Sequence, residues 1–327
     1  MTHPFPALVV RSPGPARPEV LTLTDLPALP VLVEVACSTL NYKDALALTG
    51  RGPICRRLPM VCGIDLAGVV RESADARWPV GTPVLVNGFG LSETEWGGYS
   101  HFQRLRAEWL VRPPVDWSLA DTMALGTAGY TAMLCVQAIR DHGVTVDAGP
   151  ILVTGATGGV GSVAVMLLAR LGYRVVASSG RPSLQDYLRG LGAAETLERA
   201  ALDRLPRPLE REQWAAVVDC VGGPTLATAC AQTCYGGIVT ACGLAGSAEL
   251  PASVMPFILR GVTLKGIDSV MAPLAVRQRA WDEVASVLAP GDLAGVTSSA
   301  RLEDLPALAH DLLDGRLKGR LVVTVRE

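Results

Sequence analysis

Short apolar runs alternate with Pro- and Gly-marked breaks over the first third of the chain. "ALVVR" (7–11), "VLVEVAC" (31–37), "LAGVVRES" (66–73) and "TPVLVNG" (82–88) have the length and β-branched content of strands. They predict an antiparallel, barrel-like domain. From 123 to 143, "MALGTAGYTAMLCVQAIRDHG" carries apolar residues at helical spacing up to a stop at Gly143. Strands and helices then alternate. "ILVTG", "YRVVASSG", "AAVVDCVGG", "GGIVTACG" and "VTLKGIDS" read as strands, with "VGSVAVMLLARLG", "SLQDYLRGLG" and "TLATACAQT" as the helices between the first four. Strands separated by helices of about ten residues predict βαβ units and a parallel sheet. Two amphipathic helices, near 273–289 and 302–315, and a last strand "GRLVVTV" fit back onto the first domain. The fold class is α/β, with 1–125 and 272–327 forming one domain and 126–271 the other. No internal repeat or low-complexity tract is visible.

The junction "ILVTGATGGVGSVAVMLLARLG" gives the sheet domain a chemical role. A buried strand runs into Gly155, Gly158, Gly159 and Gly161 and then into an apolar helix. Glycines let the backbone turn sharply and approach a pyrophosphate, which the free N–H groups of the helix start can hold. This context makes the turn, with Thr157, Gly158, Gly159 and Val160, a candidate dinucleotide site. The bland alternative is a tight turn with no ligand.

The end of the second strand selects between dinucleotides. An NAD site wants an acid about 20 residues on, for the ribose 2′-OH. Here "VVASSGRPS" has no Asp or Glu. Ser179, Gly180 and Arg181 stand there instead, and a guanidinium can pair with a 2′-phosphate. This favours NADPH, with Arg199 as a second cation; the alternative for Arg181 is a solvated loop residue. The same turn fits the short-chain dehydrogenases. They carry it near the N-terminus and follow it with Tyr-x-x-x-Lys, and no tyrosine after this turn has a lysine four places on.

Composition narrows the partners. Of 327 residues 49% are hydrophobic and 18% charged, and the formal charge is −2. No basic field exists for nucleic acid or a membrane surface, and the apolar stretches read as too short to span a bilayer. The proline-broken N-terminus shows no signal-peptide pattern. The eight cysteines include no C-x-x-C pair, so neither a zinc ribbon nor a disulfide framework is expected, and a reducing, cytoplasmic compartment is.

The β-rich first domain followed by "GTAGYTA", "VTGATGGVG" and "DCVGG" resembles the medium-chain dehydrogenase/reductase superfamily over the whole chain. The resemblance implies a GroES-like β-barrel catalytic domain, a Rossmann doubly wound parallel sheet and dimers through the Rossmann sheet edge, here "PFILRGVTLKGIDSV". Zinc-dependent members have Cys-His where this chain has Asn41-Tyr42, and Gly-His-Glu where it has Gly63-Ile64-Asp65. Their third ligand falls near Ala124. Asn41, Ile64 and Ala124 cannot form a zinc site, so no metal is expected. The zinc-free branch reduces activated double bonds. Within it, "NYKDALALTG", "GIDLAG", "WGGYS", "SSGR", "ACGLAG", "VMPFILRGVTLKGIDSV" and "GRLVV" are similar to the acrylyl-CoA reductase (quinone oxidoreductase-like) group. This implies NADPH-dependent reduction of acryloyl-CoA to propionyl-CoA. Reduction of a quinone or small enone, or a non-catalytic NADPH-binding role, stands as the alternative.

Tyr42 occupies the family position that faces the nicotinamide. It is both a cofactor contact and the candidate donor to a developing enolate oxygen; the plainer role is packing. Asn41 either orients the reactants or caps a helix. Lys43 and Asp44 read as a first-turn pair, and Asp65 as a structural acceptor for loop N–H groups. Thr127 is expected at the nicotinamide end, and Leu244 and Ser269 at the carboxyl ends of later strands. Arg51, Arg56 and Arg57 form a basic cluster that could meet CoA phosphates or lie in a solvated loop. His101 is expected at the surface or the barrel edge.

Overall fold

A computed structural model describes residues 4–326. In chain order it begins with β1 (Phe5–Val10), β2 (Arg17–Leu21), β3 (Val31–Thr39), α1 (Tyr42–Thr49), β4 (Met60–Val61), β5 (Asp65–Ser73), β6 (Pro83–Asn87) and β7 (Phe102–Leu105). The middle of the chain gives α2 (Leu119–Asp141), β8 (Ile151–Val153), α3 (Gly159–Arg170), β9 (Val175–Ser179), α4 (Gln185–Gly190), β10 (Glu195–Glu198), β11 (Trp214–Asp219), α5 (Gly223–Gln232), β12 (Thr233–Ala241), α6 (Met255–Arg260) and β13 (Thr263–Gly266). The last part holds α7 (Leu274–Val287), β14 (Thr297–Arg301), α8 (Leu305–Leu313) and β15 (Arg320–Thr324).

Two compact units result. One is Met1–Thr127 with Ser269–Ala285 and Ala289–Glu327; the other is Ala128–Asp268 with Ser286–Leu288. Thr127 and Ser269, placed by sequence within 126–271, therefore lie in the first unit.

The first unit has a three-stranded sheet, β2-β1-β4, and a larger sheet, β14-β15-β3-β5-β6, with β7 also on β3. Most pairs are antiparallel, but β14 and β15 run parallel. The named strands within 1–125 pair antiparallel, as expected; β14 and β15 run parallel because α8 connects them, and a helical crossover returns the chain in the same direction. The residues Val33, Val35, Leu66, Val84 and Tyr99 share a core with Leu305 and Ala309 of α8.

The second unit is one parallel sheet in the order β10-β9-β8-β11-β12-β13. The order reverses between β8 and β11, which is where open sheets of this kind bind ligands at the carboxyl ends of their strands. Leu152, Val217 and Val239 from three of these strands pack with Leu226 and Cys230 of α5. Their near-continuous apolar runs suit strands covered on both faces.

Two expectations for α2 need correction. The apolar pattern from 123 to 143 reads as one uninterrupted helix, but Gly126 (φ 51°, ψ −155°) breaks it into two. In addition, α2 is long and apolar enough to cross a membrane, and 94% of its apolar window is buried inside the protein, as befits a core helix.

Candidate functional site

The end of β3, the start of α1 and the start of β5 meet around one carboxylate in the first unit. Asp65 is fully buried. It accepts from Asn41 Nδ2 at 2.9 Å, Asn87 Nδ2 at 2.8 Å and the Thr127 backbone N–H at 3.0 Å. The hydroxyls of Thr39 and Thr127 donate to it as well. The break at Gly126 explains the Thr127 bonds. It frees the first N–H of the second half of α2, and a carboxylate at a helix start satisfies such a donor. A Cβ at position 126 would lie 2.8 Å from Arg320 Nη2 and from Thr39 Cγ2, and 2.9 Å from Asp65 Oδ2. Together with the positive φ, this requires glycine.

Asn41 is the N-cap of α1, and its amide is committed to the same frame. Nδ2 donates to Thr39 Oγ1 at 2.7 Å and Asp44 Oδ2 at 3.0 Å in addition to Asp65, while Oδ1 accepts from Arg320 Nη1 at 3.3 Å. This makes Asn41 a positioning residue for the first turn, with its polar atoms turned inward. Tyr42, the first residue of α1, is 42% exposed. Thr127 lies with this frame, and its hydroxyl is directed to Asp65.

Asp44 differs from the expected first-turn partner of Lys43. It is buried, and it accepts from the Asn41 backbone N–H at 2.9 Å and the Ile64 N–H at 2.8 Å. Lys43 instead pairs with Glu93 at 2.7 Å. Burial and the neighbouring Asp65 lift the Asp44 carboxyl from 3.8 to about 7, against the lowering effect of its Asn41 and Ile64 donors. The native state therefore holds a proton that the unfolded chain releases above about pH 4. Stability from this group is complete below that pH and lost as pH rises towards 7. The melting temperature of the protein relative to an Asp44→Asn variant is expected to fall between pH 4 and 7; a difference that rises over that range would overturn this.

Two buried arginines were not legible as site residues. Arg320 on β15 is 3% exposed, and its Nε donates to the Ala124 carbonyl at 3.0 Å. It thus touches positions 41 and 124, where zinc-dependent enzymes place ligands. A buried cation, an amide and an alanine carbonyl do not suit a Zn²⁺ ion. Among the described residues no group of three His, Cys, Asp or Glu side chains could hold a metal. Arg277 on α7 donates to the carbonyls of Asn87 at 2.6 Å, Val270 at 2.6 Å, Ala272 at 2.9 Å and Ser269 at 3.1 Å. It holds the Ser269 segment and, through Asn87, the Asp65 cluster. In the Arg51–Arg57 cluster, Arg51 faces Asp314 and Arg56 faces Glu93, which leaves less free charge for phosphates than the sequence suggests. His101 is partly buried, which lowers its pKa.

The second unit carries the glycine turn. Gly158 is the N-cap of α3, followed by Gly159 and Val160 in its first turn. A Cβ on Gly161 would sit 2.4 Å from the Gly155 carbonyl oxygen and 2.7 Å from Ala156 Cα, so only glycine lets α3 seat on the turn. Thr157 is buried; its hydroxyl meets Ser179 Oγ at 3.2 Å and accepts from Arg181 Nη2 at 2.6 Å. The Arg181 N–H donates to Ser179 Oγ at 3.1 Å. The Arg199 guanidinium lies over Gly180, with its Cζ 3.0 Å from where a Cβ would stand. Burial, and then the nearby Arg199, lower the Arg181 pKa while the Tyr187 hydroxyl raises it. Two guanidiniums and a hydroxyl thus converge beside the phosphate-type turn with no carboxylate on the strand end, an arrangement suited to a phosphate.

Asp219, at the end of β11, was missed. It accepts from Thr154 Oγ1 at 2.6 Å and the Gly222 N–H at 2.8 Å. It ties the β8 turn to the β11 loop, and burial lifts its carboxyl to about 6. The "DCVGG" motif was the available signal. Leu244 is 60% exposed in a pocket with Cys242, Gly243, Gly266 and Ile267 at the carboxyl ends of β12 and β13. Ser269 belongs to the first unit.

Comparison with known proteins settles the relationship. Residues 28–115 match the alcohol dehydrogenase GroES-like domain and residues 159–288 the zinc-binding dehydrogenase domain. The chain is 51% identical over 306 residues to acrylyl-CoA reductase AcuI of Ruegeria pomeroyi, covering 93% of each. The chain belongs to the acrylyl-CoA reductase group of the medium-chain dehydrogenase/reductase superfamily. Within this group it is also 46% identical to the probable acrylyl-CoA reductase AcuI of Escherichia coli, over 97% of this chain and 98% of that one. The yhdH oxidoreductase of Salmonella enterica, solved in complex with NADP, superposes with a TM-score of 0.95 at 45% identity over the whole of both chains. The zinc named in the second domain's description has no donor set here at positions 41, 64 and 124. Asn41, Ile64 and Ala124 are not Zn²⁺ ligands.

Proposed function

We propose that this protein reduces the activated C=C bond of an enoyl thioester with NADPH, converting acryloyl-CoA to propionyl-CoA. The observation that carries this is the 51% identity to an acrylyl-CoA reductase across 93% of both chains. The Arg181–Arg199 pair adds physical support for a cofactor bearing a 2′-phosphate.

Bound NADPH supplies a hydride, which the β-carbon of the thioester accepts. The chain's own work is binding and charge stabilisation. The turn at Thr157–Val160 offers N–H groups to the pyrophosphate, and Ser179, Arg181 and Arg199 hold the 2′-phosphate. Asn41 and Asp44, fixed on Asp65 and Arg320, lock the first turn of α1. That leaves the Tyr42 hydroxyl, on the exposed side of this turn, to donate to the thioester oxygen as it becomes an enolate and to direct a proton to the α-carbon.

Turnover of acryloyl-CoA with NADPH is expected to exceed that of a panel of quinones and small enones in kcat/KM. A quinone turned over with the higher kcat/KM would overturn the substrate assignment. Tyr42→Phe keeps the ring and removes the hydroxyl, and is expected to lower kcat about 10²-fold, the lower range for a positioned proton donor. An unchanged kcat would reduce Tyr42 to packing.

We also propose a homodimer through the open edge of the parallel sheet. Strand β13 is its last strand, and Val254, Ile258 and Leu259, in and just before α6, are 54–71% exposed. An apolar edge of this kind favours pairing with a second copy, and light scattering on the purified protein would read the mass. The eight free cysteines suit a reducing, cytoplasmic location.

A further inference from the structure

Three sulfurs meet at the carboxyl end of the parallel sheet. Cys220 directly follows β11, Cys242 directly follows β12, and Cys135 comes from α2. The last paired residues of the two strands are Asp219 and Ala241, so Cys220 and Cys242 are the next position across two parallel strands. The Cys242 N–H donates to the Asp219 carbonyl at 2.9 Å, and the Gly246 N–H to the Val221 carbonyl at 2.8 Å, which fixes both backbones beyond the ladder. The spacing of paired strands, about 4.8 Å, falls inside the Cα window of a disulfide. Their sulfurs stand 3.8 Å apart and would need to close by roughly 2 Å. Both residues are half-buried, whereas Cys135 is fully buried. The Cys242 Sγ also donates to the Asp219 carbonyl at 3.3 Å, and its contacts with Cys135 and Cys220 push its thiol below the usual range and raise theirs. Among the described residues no group of His, Cys, Asp or Glu that could hold a metal forms here.

We propose that Cys220 and Cys242 are a peroxide-reactive dithiol that closes reversibly to a disulfide and, once closed, weakens NADPH binding. The Cys242 thiolate attacks a peroxide oxygen. An S–O bond forms, the O–O bond breaks, and the leaving hydroxide takes up the proton that Cys242 released on ionising, giving water and the Cys242 sulfenic acid. The Cys220 thiol then attacks the Cys242 sulfur. The S–S bond forms, the S–O bond breaks, and the thiol proton leaves with hydroxide as a second water. Hydrogen peroxide is reduced by two electrons and the two thiols are oxidised by two. Cys242 lines the same pocket as Leu244, so drawing its side chain towards β11 deforms that wall. This consequence for binding rests on the reading of that pocket as part of the cofactor site.

The test uses the full chain, reduced and then exposed to hydrogen peroxide. Peptide mapping without reductant is expected to show one disulfide, Cys220–Cys242, reversed by dithiothreitol. Cys135→Ser should still form it. Cys220→Ser should leave a sulfenic acid at Cys242 that dimedone traps, and Cys242→Ser should remove the reaction. A disulfide between other cysteines, or a Cys242 that oxidises no faster than Cys55, would overturn the dithiol. NADPH titration of the oxidised protein is expected to show about tenfold weaker binding than the reduced protein, restored by dithiothreitol. A mapped disulfide with unchanged NADPH affinity would overturn the coupling. Absence of NADPH binding by the reduced protein would instead strike the cofactor assignment.

Discussion

Asp65→Ala is expected to destabilise the first unit by about 3–5 kcal/mol, the cost of removing one partner from a buried charge network. Five donor groups point at this carboxylate, on Thr39, Asn41, Asn87 and twice on Thr127. Alanine leaves them in a space that excludes water, and each buried donor left without an acceptor costs about 1–3 kcal/mol. Arg320, buried nearby and drawn to Asp65 by charge, loses a compensating anion at the same time. With a urea m-value of about 1–3 kcal/mol/M, the unfolding midpoint of this unit should fall by at least about 1 M. Asp65→Asn keeps the volume but turns an amide N–H₂ towards donors, so it should recover only part of the loss. A midpoint that does not move in the alanine variant would mean that the donors find other acceptors, and the cluster would no longer explain how α1 is held.

The same cluster marks the limit of what the sequence discloses. The alternation of strands and helices after 150 is local and survives in the structure, because strand and helix periods are set by nearest neighbours. The glycine turn and the acid-free end of β9 are also local, and Ser179 and Arg181 do meet Thr157. The Asp65 partners lie 22 to 62 residues away in sequence, so no window contains them. Arg320 and Arg277 carry a residue type that composition assigns to solvent; only the tertiary fold supplies the carbonyls that hold them. Gly126 escapes notice because the apolar spacing continues across it, although the φ it adopts is left-handed. Lys43 pairs with Glu93, fifty residues on, where sequence proximity suggested Asp44. The glutamate side of that choice cannot be read from a helix template. What the zinc-free pattern did disclose was chemical: Asn41, Ile64 and Ala124 are poor ligands in any geometry. What it could not disclose is that an arginine reaches two of those positions.

Arg181→Ala is expected to weaken NADPH binding by about 10- to 100-fold and leave NADH binding nearly unchanged. The magnitude follows from losing one or two charge-assisted hydrogen bonds to a phosphate, about 1.5–3 kcal/mol, at 1.4 kcal/mol per tenfold. Arg181 also braces the Thr157 hydroxyl at 2.6 Å, in the turn that any dinucleotide would use. NADH separates the two effects, since a damaged turn weakens both cofactors and a lost phosphate contact weakens only one. Arg199→Ala should act in the same direction, as its guanidinium flanks the same Gly180. The double variant should bind the two cofactors almost equally. Arg181→Lys keeps the charge without the planar fork and should fall between. The NADPH preference should also shrink as salt is raised, because the contact is a partly exposed ion pair. Equal losses for NADPH and NADH in Arg181→Ala would show that the residue supports the turn alone, and the 2′-phosphate would have to be held elsewhere.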